Sequence, residues 1–247
     1  EGVRRIEPEP RAIAGEQITQ IEAVTSADTF LDMLLIKHGP GKVEFTSQDT
    51  KIPIYGVRYQ NESEDTILYV EVSQKGGQVL QFYQTREVAQ ANYDTEDAIA
   101  QAENLLNELH FSDMACVDVI HDENIVDLTF VPKMNGIYIY SDMVKLQIAL
   151  DDNTLLNFDQ TSYATRHYQR QLPTPVLSKE QILQNRNPNF QVETVRLALI
   201  TDEYSINEIL TYEIQGTVVN ETFSVFVDAA TGQEIRIVRR WPVFPEI

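Results

Sequence analysis

Apolar residues recur at helical spacing between Glu16 and Lys37, where Ile18, Ile21, Ala27, Leu31, Leu34 and Leu35 fall near one face and Gly39-Pro40-Gly41 stops the run. The period then switches to alternation. Val43 and Phe45, then Tyr55, Val57 and Tyr59, then Leu68, Val70 and Val72 are divided by polar turns such as Asn61-Glu62-Ser63-Glu64-Asp65, which predicts an antiparallel meander. A second helix is predicted from an N-cap at Asp94, with Asp97 in the first turn and Ala98, Ile99, Ala102, Leu105, Leu106 and Leu109 as its apolar stripe. Strands follow around Val117 and Val119, then Val126, Leu128 and Phe130, then Leu146, Ile148 and Leu150, and finally Leu156 and Phe158. Ser178-Lys179-Glu180-Gln181 has the capping-box pattern of a third helix, curtailed by Pro188, before strands at 192–200, 209–214, 223–227 and 235–238.

The same strand, turn and strand therefore occurs three times. Val70-Glu71-Val72, a turn at Gly76-Gly77 and Val79-Leu80-Gln81-Phe82 is matched by Leu146-Gln147-Ile148, Asp151-Asp152-Asn153 and Leu155-Leu156-Asn157-Phe158. Val225-Phe226-Val227, Asp228-Ala229-Ala230-Thr231-Gly232 and Glu234-Ile235-Arg236-Ile237 form the third copy. A tight hairpin needs a residue at positive φ, and Gly77, Asn153 and Gly232 fill that position at little cost. The expected fold is α+β: an extended arm over 1–13, then three tandem units at 14–90, 91–168 and 169–247, each a helix packed on a three- to four-stranded antiparallel sheet. Each unit spans roughly 75–80 residues, small but within the range that folds. Residues 162–175, ending in Leu172-Pro173-Thr174-Pro175, read as the clearest linker, and residues 84–93 as a weaker one.

Composition narrows the function. The chain of 247 residues carries 38 acidic against 19 basic side chains, a formal net charge of -19, which repels phosphate backbones and argues against nucleic acid or an anionic membrane as a partner. The acidity serves solubility or presents a docking face to a basic protein. Cys116 is the single cysteine, so no internal disulfide or cysteine-built metal site is expected, and its apolar neighbours suggest a buried, inert thiol. No apolar run is long enough to span a bilayer, and the start at Glu1, without methionine, reads as a fragment whose anchoring or export segment has been removed.

Signals for chemistry are weak. His38, His110, His121 and His167 are scattered, without a partner one helical turn away, and there is no nucleophile elbow or phosphate loop. Asp151-Asp152-Asn153 lacks the later glutamate of a calcium loop and reads as a turn. Carboxylate pairs such as Asp122-Glu123, Glu62-Glu64 and Glu203-Glu208 reflect abundance in an acidic chain rather than a cleft. No cofactor, metal or catalytic residue is expected. The candidate partner contacts are Tyr138 and Tyr140, expected on one face of a strand, together with Arg239, Arg240 and Trp241. The tyrosines, with Tyr163, Tyr168 and Trp241, could form a sugar-stacking platform or pack beneath a helix or against a neighbouring unit. Arg239-Arg240-Trp241 could form a salt-bridged seam between units or anchor a partner.

The stretch from Phe223 to Ile235, with Val225-Phe226-Val227-Asp228 and Thr231-Gly232, resembles the x-V-x-V-D-x-x-T-G-x-x-I ending of a PepSY domain. The first two copies are looser: one keeps Gly77 without the aspartate, the other has Asn153 in place of the glycine. Three such units after an arm like Gly2-Val3-Arg4-Arg5-Ile6-Glu7-Pro8 resemble the C-terminal region of the YpeB family of spore germination proteins. The resemblance implies a non-enzymatic partner of SleB, a lytic transglycosylase that degrades spore-cortex peptidoglycan. The two proteins are expected to stabilise each other in the spore, with the PepSY region holding the hydrolase inactive until germination. It also implies a parent outside the inner spore membrane, held by a segment absent from this sequence. The alternatives are direct peptidoglycan binding through tyrosine-rich faces, or protease inhibition of the kind attributed to PepSY units in propeptides.

Overall fold

The computed structural model describes residues 11–48, 51–60, 66–184, 187–201 and 207–240. Helix α1 (Gln20–Met33) starts in a capping box, with Thr19 Oγ1 accepting from the Glu22 amide and the Glu22 carboxylate accepting from the Thr19 amide. Helix α2 (Thr95–Glu108) repeats the device with Asp94 and Asp97. Counted from the cap, the buried positions are the same: Ala23, Ala27, Phe30 and Leu31 in α1, and Ala98, Ala102, Leu105 and Leu106 in α2. Both helices end alike. Leu35 (φ 56°) and His110 (φ 64°) take the left-handed conformation, and the Ile36 and Phe111 amides donate back to the Leu31 and Leu106 carbonyls.

Strands β1 (Gly41–Ser47), β2 (Ile54–Tyr59), β3 (Leu68–Ser73) and β4 (Val79–Gln84) form an antiparallel meander beneath α1. Beneath α2 lie β5 (Met114–Asp122), β6 (Ile125–Met134), β8 (Val144–Ala149) and β9 (Leu155–Asp159), with β7 (Ile137–Ile139) and a 3-10 turn (Tyr140–Asp142) between β6 and β8. A short α3 (Thr161–Arg166) and α4 (Lys179–Leu183) precede β10 (Gln191–Thr201), β11 (Glu208–Val218), β12 (Glu221–Asp228) and β13 (Glu234–Arg240). The repeated turns place Gly77, Asn153 and Gly232 at φ 67°, 59° and 78°, as the hairpins require.

These strands join into one 13-stranded sheet, β1-β2-β3-β4-β9-β8-β6-β7-β10-β11-β12-β13, with β5 attached to β6. The fold is thus α+β, but its sheet is mixed and continuous. Two junctions account for that. The β4 and β9 edges pair antiparallel, with Phe82 opposite Phe158, so α1 and α2 cover a shared core in which the Phe30 ring lies 5.6 Å from Phe82 and 5.7 Å from Phe158. Farther on, β6 hands over from β8 to β7 at Lys133, and β7 runs parallel to β10.

Several expectations change. Ile21 and Leu35, assigned to the apolar face of α1, are 80% and 89% exposed, while Phe30 and Ala23 complete the buried stripe. Helix α4 buries only Ile182 and stops early, because Gln184-Asn185-Arg186-Asn187 offers no further apolar position. Residues 162–175 are not a free linker: α3 buries Ala164, its carbonyls at 164 and 165 accept from the Ala12 and Arg11 amides, and Arg170 is buried. Tyr138 lies in β7, but Tyr140 belongs to the 3-10 turn rather than to the same strand. Of the predicted arm, residues 1–10 lie outside the described residues, and Ile13 packs against Ile52, Ile54, Leu80 and Ala164.

Candidate functional site

Strand alternation puts Tyr212 and Ile214 on the α4 side of β11 and turns Glu213 to the opposite face, where its side chain is 0% exposed. A carboxylate there needs partners, and the neighbouring strands supply them. Arg196, directly opposite in β10, donates from Nε at 2.7 Å. Tyr140 donates its hydroxyl at 2.7 Å, Ser224 at 2.9 Å and Arg240 Nη2 at 3.2 Å. Arg240 also reaches Asp118 of β5, at 2.8 Å from Nη1. Burial alone would raise the Glu213 carboxyl, but Arg196, Tyr140 and Ser224 outweigh it and hold the group below its ordinary value. Tyr140 moves the other way: burial and the adjacent carboxylate push its hydroxyl up.

A second cluster is centred on Arg170, whose side chain is 2% exposed. Its Nη1 and Nη2 each lie 2.6 Å from an Asp142 oxygen, and Nε and Nη2 both donate to Glu208, the latter at 2.7 Å. His167 Nδ1 contacts Asp142 Oδ2 at 2.8 Å, Ser141 donates to Glu208 at 2.8 Å, and the Tyr168 hydroxyl donates to Glu208 at 3.0 Å. The Arg11 and Arg170 guanidiniums both lie against the Tyr168 ring. Desolvation would raise Asp142 and Glu208, yet the hydrogen bonds from His167 and Arg170 to the first, and from Arg170 and Ser141 to the second, leave both below their ordinary values. The cluster ties the 3-10 turn and the segment after α3 to the start of β11.

Three of the sequence candidates, Tyr138, Tyr140 and Arg240, fall within or beside the Glu213 cluster. Tyr140 and Arg240 converge on Glu213, and the Tyr138 ring sits under Arg196 at 4.4 Å with Lys133 at 5.1 Å. Tyr138 and Tyr140 pack against Ala198, Ile200 and Phe226, with Tyr140 edge-on to Phe226. Arg239 faces away and pairs with Glu221 at the surface, while Trp241 lies outside the described residues. Of the other tyrosines in the proposed sugar platform, Tyr163 stacks on His167 and meets Phe111 edge-on, while Tyr168 is exposed between Arg11 and Arg170. Arg170, Asp142, Arg196 and Glu213 had no role in the sequence reading, and Glu208 figured there only as one of many carboxylates in an acidic chain. One signal was available, a glutamate in the apolar alternation of β11, and another was the concentration of Arg166, His167 and Arg170 within an acidic chain.

Both clusters are saturated rather than poised. Each buried carboxylate faces an arginine, an arrangement that fixes geometry and leaves no free base beside an acid. A cavity of 520 Å³ on the helix-bearing face, lined by Phe30, Met33, Leu109, Phe111 and Phe158 among others, has His110 and Tyr163 as its ionisable side chains. Burial pushes the Cys116 thiol up to about 11, away from nucleophilic use. Among the described residues no group of His, Cys, Asp or Glu has the arrangement of a metal site, and no helix is long and apolar enough to cross a membrane.

Buried ion pairs thus lock a continuous mixed sheet, and comparison with known proteins places the chain in a family. The family model for YpeB sporulation proteins, covering their PepSY1 and PepSY2 domains, matches residues 4–173. The chain belongs to the YpeB sporulation protein family. It is 28% identical over 229 residues to the sporulation protein YpeB of Bacillus subtilis, covering 91% of this chain and 50% of that protein. It is likewise 28% identical over 228 residues to YpeB of Oceanobacillus iheyensis, covering 90% of this chain and 48% of that one. The chain therefore spans about half the length of the curated relatives it matches. The solved Bacillus megaterium YpeB C-terminal domain superposes with a TM-score of 0.80 at 28% identity, covering 92% of this chain and 100% of that one.

Proposed function

We propose that this chain is the PepSY-bearing part of a non-enzymatic germination protein that binds, stabilises and inhibits the cortex-lytic peptidoglycan hydrolase SleB until germination. In this reading three tandem helix-on-sheet units, at 14–90, 91–168 and 169–247, form a rigid surface at the outer face of the inner spore membrane, within reach of the cortex. The observation that carries it is membership of the YpeB family. The buried chemistry agrees: Glu213, Asp142 and Glu208 are engaged by arginines, so the charged interior serves shape instead of turnover. The net charge of -19 favours a partner with a basic docking face. Muropeptide release from cortex fragments by the purified hydrolase tests the proposal. Addition of this chain should lower the rate in a saturable way, and an unchanged rate at excess chain would remove inhibition from its function.

A further inference from the structure

The three hairpins share a detailed irregularity. In β3·β4, β8·β9 and β12·β13 the register shifts by one residue at the same place, leaving Leu80, Leu156 and Ile235 as the extra residues. Phe82, Phe158 and Ile237 follow at equivalent positions, each the fifth residue after Gly77, Asn153 or Gly232. The first two of these strands use their outer edges on each other. Phe82 sits opposite Phe158, with Gln81 opposite Asp159 and Tyr83 opposite Asn157, so a local two-fold axis passes through the phenylalanine pair. The third strand has no such use: β13 ends the sheet path and pairs only with β12 among the described residues.

The side chains differ accordingly. Phe82 and Phe158 are fully buried beneath Phe30, whereas Ile237 is 59% exposed on the α4 side, opposite Val225. Helix α4 is too short to supply the turn that covers them in the other two hairpins. An exposed edge with apolar residues at its centre is a template for another strand.

We propose that β13 pairs antiparallel with β13 of a second copy of this chain, in the register by which β4 pairs β9. That register centres on Ile237 opposite Ile237 of the partner subunit and sets Ile235 opposite Arg239 of the partner subunit on either side of it. Apolar cross-strand pairs of this kind favour the pairing. Charge along the edge is close to balanced, since Arg240 is engaged by Glu213 and Asp118, Arg239 by Glu221, and Arg236 stands near Glu234, so the acidity of the chain is not concentrated there. Among the described residues β1 and β5 also have an unpaired edge, but each is interrupted by a bulge, between Val43 and Phe45 and between Cys116 and Asp118, and neither follows one of the repeated turns.

Sedimentation equilibrium over a concentration series reaching the millimolar range tests this. The chain should pass from its monomer mass of 28.2 kDa to a dimer. Ile237→Lys, at an exposed site, should raise the dissociation constant more than tenfold. In a Cys116→Ser background, Ile237→Cys should give a disulfide-linked dimer on mild oxidation and Phe45→Cys should not. A monomer at every concentration, a dimer indifferent to Ile237→Lys, or one abolished by Phe45→Lys instead would overturn the proposal.

Discussion

Arg240, the last described residue of β13, holds Asp118 of β5 at 2.8 Å, although the two strands lie far apart along the sheet path. The same guanidinium reaches Glu213, so one side chain binds the far end of the sheet to the strand attached to β6. Removing it breaks two contacts of unequal weight. Glu213 is fully buried and would lose one of its two arginines, whereas Asp118 is partly solvated.

Arg240→Ala should therefore cost about 2–4 kcal/mol, and Asp118→Ala no more than about 1 kcal/mol, in urea unfolding. The double variant should destabilise by less than the two together, because the contact they share is counted in both. Strict additivity would mean that Arg240 acts through Glu213 alone.

Arg170 is the sharper case. Its replacement by Met leaves Asp142 and Glu208 without their shared cation, and a loss of about 3–5 kcal/mol is expected. Arg170→Lys should recover only part of it, since an ammonium cannot bridge both carboxylates through the planar fork. Thermal melts of the two variants distinguish this from simple loss of charge, which lysine would repair.

The same cluster governs proteolysis. Residues 161–170 are held by α3, by the arm at Arg11 and Ala12, and by the buried arginine, whereas Pro173, Thr174, Pro175 and Val176 are exposed. Limited digestion followed by mass spectrometry should place early cuts after residue 170 and none between 161 and 170. Early cleavage inside α3 would contradict the packing described.

Acid should weaken the fold in a defined window. Asp142, Glu208 and Glu213 are held below their ordinary values, 3.8 for Asp and 4.5 for Glu, so on acidification the unfolded chain binds protons on them before the folded chain does. Their stabilisation is complete above those ordinary values and is lost as pH falls below about 4 through the folded-state values. Urea midpoints measured from pH 6 to pH 3 should fall with acidification, and Glu213→Gln should show a shallower fall. A flat profile would remove these carboxylates from the stability of the fold.

Local signals were legible in the sequence and long-range ones were not. The capping boxes at Asp94 and Ser178 and the turns at Gly77, Asn153 and Gly232 depend on residues within a few positions of one another, and the structure places them as read. The joining of β4 to β9 and the parallel β7·β10 pair depend on edges that no periodicity encodes. Ile21 and Leu35 misled because a helical stripe tolerates apolar residues at its exposed margin. Arg239 and Arg240 were treated as one feature, yet adjacent strand residues face opposite sides, and only Arg240 reaches the buried cluster. Arg170 was hidden by its proline-rich surroundings. Its partners, Asp142 and Glu208, are distant in sequence, and an acidic chain offers many such carboxylates.

The central claim is that this scaffold engages the cortex-lytic hydrolase directly. Calorimetric titration of the chain against the separate catalytic and cell-wall-binding domains of SleB, at low and at high salt, tests it most directly. The account predicts saturable binding to the catalytic domain that weakens at high salt, as an acidic docking face requires. Absence of heat and of binding with both domains at either salt concentration would contradict it.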